Sequence, residues 1–338
     1  MSVDGFSLFS HDGGMPDGPA LAELPLPFAR CDDNLGETGW LETDLNEWIT
    51  ASGLAQALPS LRRARASGYA LLSCLNYPAA SPDHLRLISR YFAFYFECDT
   101  SCVERPATEG RLTEVASEIL RWSTQIQYSQ RPPPSSTGRH LEVLHSIGEQ
   151  LHRLAIAAQA ERVHRGERDY LLGAACEAAY LAQGTLPTFA EYRDLREHTA
   201  TVGWHLALVE ITGGFEVPGR VRRRSDVLAA TRTMGLLLGL INDMASWRKE
   251  SRTSPRALNF PNVIARERGC TLLEAAHETA GMTAVESQRF YDQTEQLIRE
   301  GGALGRWAGG ARHCVAGWHR WHTLSERFAI DSATDRDQ

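Results

Sequence analysis

The sequence predicts an all-α protein, and three observations carry that reading. No stretch alternates apolar and polar residues with the β-branched enrichment of a sheet. Helix starts recur with explicit caps, at Ser81-Pro82-Asp83, at Thr188 and at Thr271-Leu272-Leu273-Glu274. The 338 residues are 43% hydrophobic and show no internal repeat, enough for one sizeable core. The expected organisation is a loosely packed or disordered segment over 1–24, one helical domain over 25–330 and a tail over 331–338.

In chain order, Pro16, Gly18, Pro25 and Pro27 break any early helix. Cys31-Asp32-Asp33-Asn34-Leu35-Gly36-Glu37 holds three acids, but Gly36 interrupts it, and it leads into a helix carrying Trp40, Leu41, Leu45 and Trp48 rather than forming a metal site. Apolar residues recur at helical spacing from Leu58 to Ala80 until Tyr77-Pro78. The cap at Ser81 opens a helix running to Asp99, with Pro106 limiting its length. On it Phe92, Tyr95, Phe96 and Asp99 share one side, so aromatic rings and a carboxylate project together. Leu112 to Tyr128 forms the next helix, and Gln130 to Ser136, with three prolines, is a surface loop. Two amphipathic stretches follow, at 140–165 and 168–183, without obvious chemistry. Thr188 caps a helix containing Arg196, Leu258 to Val263 turns into another, Thr271 starts a third, and a final helix carries Trp307, Trp318, Trp321, Arg327 and Phe328.

Composition removes several function classes. A net charge of −7 gives no electrostatic footprint for nucleic acid, and Arg222-Arg223-Arg224 reads as a solvated loop. The seven cysteines are scattered without Cys-x-x-Cys spacing, which supports neither a disulfide framework nor a zinc site, so they read as small reduced core residues. The first 18 residues have no basic stretch followed by an apolar one, and no window approaches a membrane span, which predicts a cytoplasmic protein.

The chemistry concentrates in Leu240-Ile241-Asn242-Asp243-Met244-Ala245-Ser246-Trp247-Arg248-Lys249-Glu250. Asn242, Ser246 and Glu250 fall at i, i+4 and i+8, so on a helix their oxygens stack along one face. An amide carbonyl, a hydroxyl and a carboxylate are hard donors suited to Mg²⁺ or Mn²⁺ rather than zinc. The apolar run Met234 to Ile241 just before them takes the helix into the core. Lys249 is the one lysine in the chain, against 34 arginines, and its compact ammonium suits phosphate oxygens. A solvated helix face bearing an incidental lysine is the competing reading.

Asn-Asp-x-x-Ser-x-x-Lys-Glu resembles, at every defining position, the second metal motif of class I terpene synthases. There Asn, Ser and Glu hold Mg²⁺ and Lys contacts the substrate diphosphate. The resemblance covers about Pro25 to Phe328 and implies a single-domain helical bundle around a central active-site cavity. It places the first metal motif at Asp99-Thr100-Ser101-Cys102-Val103-Glu104, where Asp99 and Glu104 match the outer acids and Thr100 departs from the second aspartate. A separation of five puts Glu104 off the Asp99 face unless the helix end unwinds; Glu97 is a weaker candidate. Glu191-Tyr192-Arg193-Asp194-Leu195-Arg196 matches the family's diphosphate-sensing stretch, with Arg196 lying 46 positions before Asn242. Thr199, Ala200 and Gly203 fall where the family breaks this helix near the substrate. Arg327-Phe328 stands for a terminal Arg-Tyr pair, keeping the guanidinium and losing the phenol.

The resemblance implies an enzyme that ionises a prenyl diphosphate with three Mg²⁺ ions, Mn²⁺ able to substitute, and cyclises the carbocation. Arg196, Lys249 and Arg327 would grip the diphosphate. Asp99, Glu104, Asn242, Ser246 and Glu250 would hold metal, and Phe92, Tyr95, Phe96, Trp204 and Trp318 would line the pocket. Farnesyl, geranylgeranyl and copalyl diphosphates are the expected substrates, with no nucleic-acid or membrane partner and a monomer or homodimer as the working unit. The alternatives are a prenyl diphosphate synthase, whose paired Asp-Asp-x-x-Asp motifs are absent, and a catalytically degenerate helical binding protein.

Overall fold

Every cap predicted from sequence opens a helix in the structure, a computed structural model that describes residues 18–21, 24, 27, 38–54, 68–134, 138–254 and 256–328. Helix α1 spans Thr38–Ala51 and α2 Tyr69–Asn76. Helix α3, Pro82–Cys98, starts with the Ser81 hydroxyl accepting from the His84 amide and proline in the first turn. It runs without a break into a π-helical turn, Asp99–Glu104, and a short α4, Arg105–Thr108. Then come α5, Leu112–Gln127, α6, Arg139–Leu154, and α7, Ala157–Gln183.

Thr188 and Glu191 form a capping box at the start of α8, Phe189–Thr199. Helix α9 is Val202–Thr212 and α10 the single turn Gly219–Arg222. The long α11, Ser225–Thr253, carries the polar stretch singled out above. Asn259 caps α12, Phe260–Arg268. A Thr271–Glu274 capping box opens α13, Leu272–Glu300, and α14, Gly302–Leu324, precedes a 3₁₀ turn, Glu326–Phe328. The described residues contain no strand, and none of their helices is long and apolar enough to cross a membrane.

Helix α11 is the central element, packed against α8, α9, α12, α13 and α14. Its segment from Thr233 to Ile241 is buried on every side, the pattern of a helix enclosed by others rather than lying on a surface. Helix α7 forms the opposite flank against α5, α8 and α9. Gly166 permits that approach, because a Cβ there would stand 2.6 Å from the Trp204 amide nitrogen. Between α8 and α9 the chain turns through Thr201 at φ 53°, a left-handed conformation that costs a threonine energy and that clusters at functional breaks.

The structure corrects several boundaries. The amphipathic region breaks at Ala155-Ile156 rather than near 166, since α7 runs unbroken from Ala157. Helical structure also continues through Pro106, which falls in the first turn of α4, just past the π-helical turn. Arg327 and Phe328 leave the last helix for the 3₁₀ turn, because Ser325 adopts an extended conformation that ends α14. The Arg222 to Arg224 run is solvated only in part: Arg223 is exposed and Arg224 pairs at the surface with Asp226 and Glu300, but Arg222 Nη1 binds buried Glu210 at 3.1 Å. Cys98 and Cys314 are buried as expected, but Cys176 is exposed. The acids of Cys31 to Glu37, most of the segment 1–24 and residues 55–67 lie outside the described residues.

Candidate active site

The first wall is the π-helical turn. Its widened i→i+5 bonding, with the Arg105 amide reaching the Thr100 carbonyl, swings residue 104 back toward residue 99. This is the unwinding that five-residue spacing demanded. Burial foremost, then Glu104 and Glu177, push the Asp99 carboxyl well above its ordinary range, while the Tyr170 hydroxyl and Arg327 oppose them. Tyr170 donates directly to Asp99 Oδ1. Thr100 turns its hydroxyl back to the Phe96 carbonyl at 3.3 Å and contributes nothing to the acidic side.

The second wall is α11. Asn242 and Glu250 are half-buried and Ser246 is 5% exposed. Ser246 Oγ lies near enough to Glu250 to favour its charged form, yet is enclosed without a hydrogen bond of proper geometry. An enclosed hydroxyl lacking a partner costs free energy unless something else uses its lone pairs. Glu250 accepts from Asn259 Nδ2 at 2.9 Å, and its carboxyl is raised to about 7 by burial first and by the charges of Asp243 and Glu104. Asp243 points the other way. It receives Tyr192 Oη and the Phe260 amide at 3.0 Å each and pairs with Arg196 Nη2 at 2.9 Å, tying α8 and the start of α12 to α11.

Arg196, from α8, lies against the second wall. Its Nη2 donates to Asn242 Oδ1 at 3.1 Å and to the Gly239 carbonyl at 3.3 Å, and its Nη1 to Thr199 Oγ1 at 3.2 Å. Gly239 makes room for it, since a Cβ there would sit 2.9 Å from Arg196 Nε, itself a buried donor without a partner. Burial would discharge the guanidinium, but Asp243 foremost, with Tyr192, Glu177 and Glu250, keeps it charged. Glu177, from α7, is raised to about 7 by burial, with Arg196 pulling it down and Glu104 pushing it up.

The 3₁₀ turn closes a third side. Lys249 Nζ donates to the Arg327 carbonyl at 2.8 Å, and Arg327 Nη1 reaches Tyr69 Oη at 2.8 Å and Glu97 Oε1 at 3.4 Å. The Arg327 guanidinium also stands 5.0 Å above the Phe96 ring and is kept charged, against its burial, by Tyr69, Glu97, Glu104 and Asp99. Glu97 is thus engaged by Tyr69 and Arg327 rather than presented with Asp99. Phe328 packs on His322, ring centroids 4.5 Å apart, and on Trp321. Deeper, Phe92 meets Trp204 edge-on at 5.1 Å, Tyr95 lies against Tyr170 and Trp204, and Phe96 stacks on Trp318 at 6.0 Å. Phe92, Trp204 and Trp318 are buried, while Tyr95 and Phe96 are half-exposed. Ala200 is buried and Gly203 exposed, on either side of the Thr201 break.

Glu104 acts on Asp99, Glu177, Glu250 and Arg327, so the two walls share one electrostatic space. Among the described residues no three His, Cys, Asp or Glu side chains are gathered tightly enough to hold an ion by themselves. The oxygens of Asn242, Ser246 and Glu250, with the Ser246 hydroxyl enclosed and unpartnered, are hard donors of the kind that suit a divalent ion such as Mg²⁺.

Sequence reasoning missed the roles of Tyr170, Glu177, Asp243, Asn259 and His322. Asp243 is the neighbour of Asn242, and Tyr170 and Glu177 lie two turns apart on α7, in a stretch whose sequence shows no obvious chemistry. His322 carries no local signal.

The family model described as terpene synthase family 2, C-terminal metal binding, matches residues 90–288, from α3 through most of α13. The chain therefore belongs to this family of terpene synthases. It is 28% identical over 336 residues to labda-7,13(16),14-triene synthase of Streptomyces clavuligerus, covering 96% of this chain and 94% of that one. It is 26% identical over 306 residues to a 7-epi-alpha-eudesmol synthase of Streptomyces viridochromogenes, described as (2E,6E)-farnesyl diphosphate cyclizing, covering 83% and 85%. The fold is similar to that of a protein obtained by ancestral sequence reconstruction, with TM-score 0.81, 22% identity and coverage of 91% of this chain and 90% of that one.

Proposed function

We propose that the protein is a Mg²⁺-dependent class I terpene synthase, its catalytic domain at 25–330, acting in the cytoplasm on a prenyl diphosphate and releasing pyrophosphate and a cyclised hydrocarbon or alcohol. What supports this reading is the oxygen-bearing face of α11, where the enclosed Ser246 hydroxyl lies without a hydrogen-bond partner between Asn242 and Glu250, with Glu104 acting on Asp99 and, more weakly, on Glu250. Asp99 and Glu104 on one side and Asn242, Ser246 and Glu250 on the other would hold Mg²⁺, with Mn²⁺ able to substitute, and the bound ions would supply Lewis acidity to the departing diphosphate.

The remaining work falls to this chain's side chains. Arg196, Lys249 and Arg327 carry only donors, and their charge-assisted hydrogen bonds hold the leaving oxygens where charge develops. Thr199 steadies Arg196, and the Thr199-Ala200-Gly203 break borders the substrate. The faces of Tyr95 and Phe96, backed by Phe92, Trp204 and Trp318, stabilise positive charge on the hydrocarbon through their ring quadrupoles. Lys249 and Arg327, already joined, hold the 3₁₀ turn over the site and keep water from the cation.

The names of the relatives support a C15 or C20 substrate: one is described as cyclising farnesyl diphosphate, and the other is named a labda-7,13(16),14-triene synthase. Farnesyl, geranylgeranyl and copalyl diphosphates are therefore the substrates to test, each alone, with and without Mg²⁺. Pyrophosphate and a cyclic product from one of them, only with Mg²⁺, supports the reading. Turnover only when isopentenyl diphosphate is added would make it a chain-elongating synthase, and binding without turnover a degenerate cyclase.

A further inference from the structure

The amide of Asn242 presents an oxygen or an NH₂ group to a given side, and a half-turn about its last bond exchanges them. Only one orientation serves a cation. In the structure both ends are read by neighbours: Oδ1 accepts from Arg196 Nη2 at 3.1 Å, and Nδ2 faces His322 Nε2 at 3.2 Å. His322 Nδ1 lies 2.7 Å from the Trp318 carbonyl, one turn earlier on α14. A carbonyl only accepts, so Nδ1 carries the proton and Nε2 of the neutral ring is a bare lone pair. That lone pair receives the NH₂ end and repels the oxygen. Arg196, a donor only, makes the opposite demand at the other end.

The two neighbours are not equivalent during a reaction. Arg196 Nη2 is already shared among Asn242, Asp243 and Gly239, and a bound diphosphate competes for it. His322 is held more firmly. Its ring is enclosed by Trp318 and Trp321, each 4.7 Å away between centroids, and is covered by Phe328 at 4.5 Å and 27°. Phe328, standing where a tyrosine matches the family pattern, thus acts on the imidazole.

We propose that His322 is a positioning residue that fixes the Asn242 amide with its oxygen on the metal face, and that Phe328 holds the imidazole in place when the C-terminal turn covers the site. This rests on Asn242 being a metal ligand. Outer contacts of this kind change metal affinity about 10–100-fold when removed.

The test is calorimetric titration of Mg²⁺ into the full-length protein in the presence of inorganic pyrophosphate, with thermal unfolding recorded on the same samples. His322→Phe keeps a ring for Phe328 but removes the acceptor, and should weaken Mg²⁺ binding about 10–100-fold; His322→Gln, which offers an oxygen to the same NH₂, should recover most of it. A purely structural histidine would lower the unfolding temperature and leave Mg²⁺ affinity unchanged, and that outcome overturns the proposal. Asn242→Ala distinguishes the levels: unchanged Mg²⁺ binding there removes the metal reading itself, whereas weakened binding in Asn242→Ala with normal binding in His322→Phe removes only the positioning role. Should either variant fail to fold, ¹⁵N-histidine NMR of the unaltered protein decides, with the Nδ1–H tautomer at His322 supporting the proposal and the Nε2–H tautomer overturning it.

Discussion

Glu104, at the end of the π-helical turn, and Glu250, from the far half of α11, repel each other across the space between their helices. The two acids come from distant parts of the chain, and each acts on a guanidinium, Glu250 on Arg196 and Glu104 on Arg327. Such an arrangement is unfavourable unless cations occupy the space, and its consequences are measurable.

The first concerns pH. Glu250 is raised from 4.5 to about 7, burial being the main cause. Between those values the folded protein binds more protons than the unfolded chain, so this group's stabilisation is full below 4.5 and is lost as pH rises through about 7. In metal-free protein, Glu250→Gln should therefore gain in unfolding temperature relative to the parent as pH goes from about 5 to about 8. A difference independent of pH would mean that Glu250 titrates normally.

Removing Asn242 or Lys249 tests the second wall. Asn242→Ala and Lys249→Ala should each abolish measurable turnover, by analogy with losses of about 10²–10³ for one preorganised group, while circular dichroism stays unchanged. Near-normal kcat in either variant would refute the role given to that residue.

Gly239→Ala offers a sharper probe. Alanine is favoured over glycine in a helix by about 1 kcal/mol. Here its Cβ would lie 2.9 Å from Arg196 Nε, so the guanidinium must shift. Stability should hold while KM for the prenyl diphosphate rises; unchanged KM and kcat would show that Arg196 does not need its present place.

Asp243 is structural by geometry, and its loss should read out in stability. Asp243→Ala leaves Arg196 buried beside an empty site and frees the Phe260 amide, while Tyr192 Oη keeps the Leu258 carbonyl at 2.8 Å, a change costing about 3–5 kcal/mol for a broken buried ion pair. Urea unfolding measures it, and a cost below about 1 kcal/mol would mean that the pair is easily replaced by water.

What could be read in the sequence follows from the range of each interaction. Asn242, Ser246 and Glu250 stack because helical spacing alone aligns them, and the caps at Ser81, Thr188 and Thr271 are contacts within one turn. The pairing of Asp99 with Glu104 needed a change from α to π geometry, which the spacing could require but not supply. Asp243 and His322 act through partners 17 to 80 positions away, Phe260 and Asn242, and no local pattern records such contacts. The departure of Arg327 and Phe328 from α14 was hidden for the same reason: the Lys249 contact that holds their turn comes from another helix.

The most direct test of the shared space is a crystal structure with Mg²⁺ and inorganic pyrophosphate. The account predicts ions between the π-helical turn and α11, with Asp99 and the Asn242, Ser246 and Glu250 side chains as ligands around one pyrophosphate, and Arg196, Lys249 and Arg327 on its oxygens. Pyrophosphate and metal bound elsewhere, with these side chains unchanged, would contradict it.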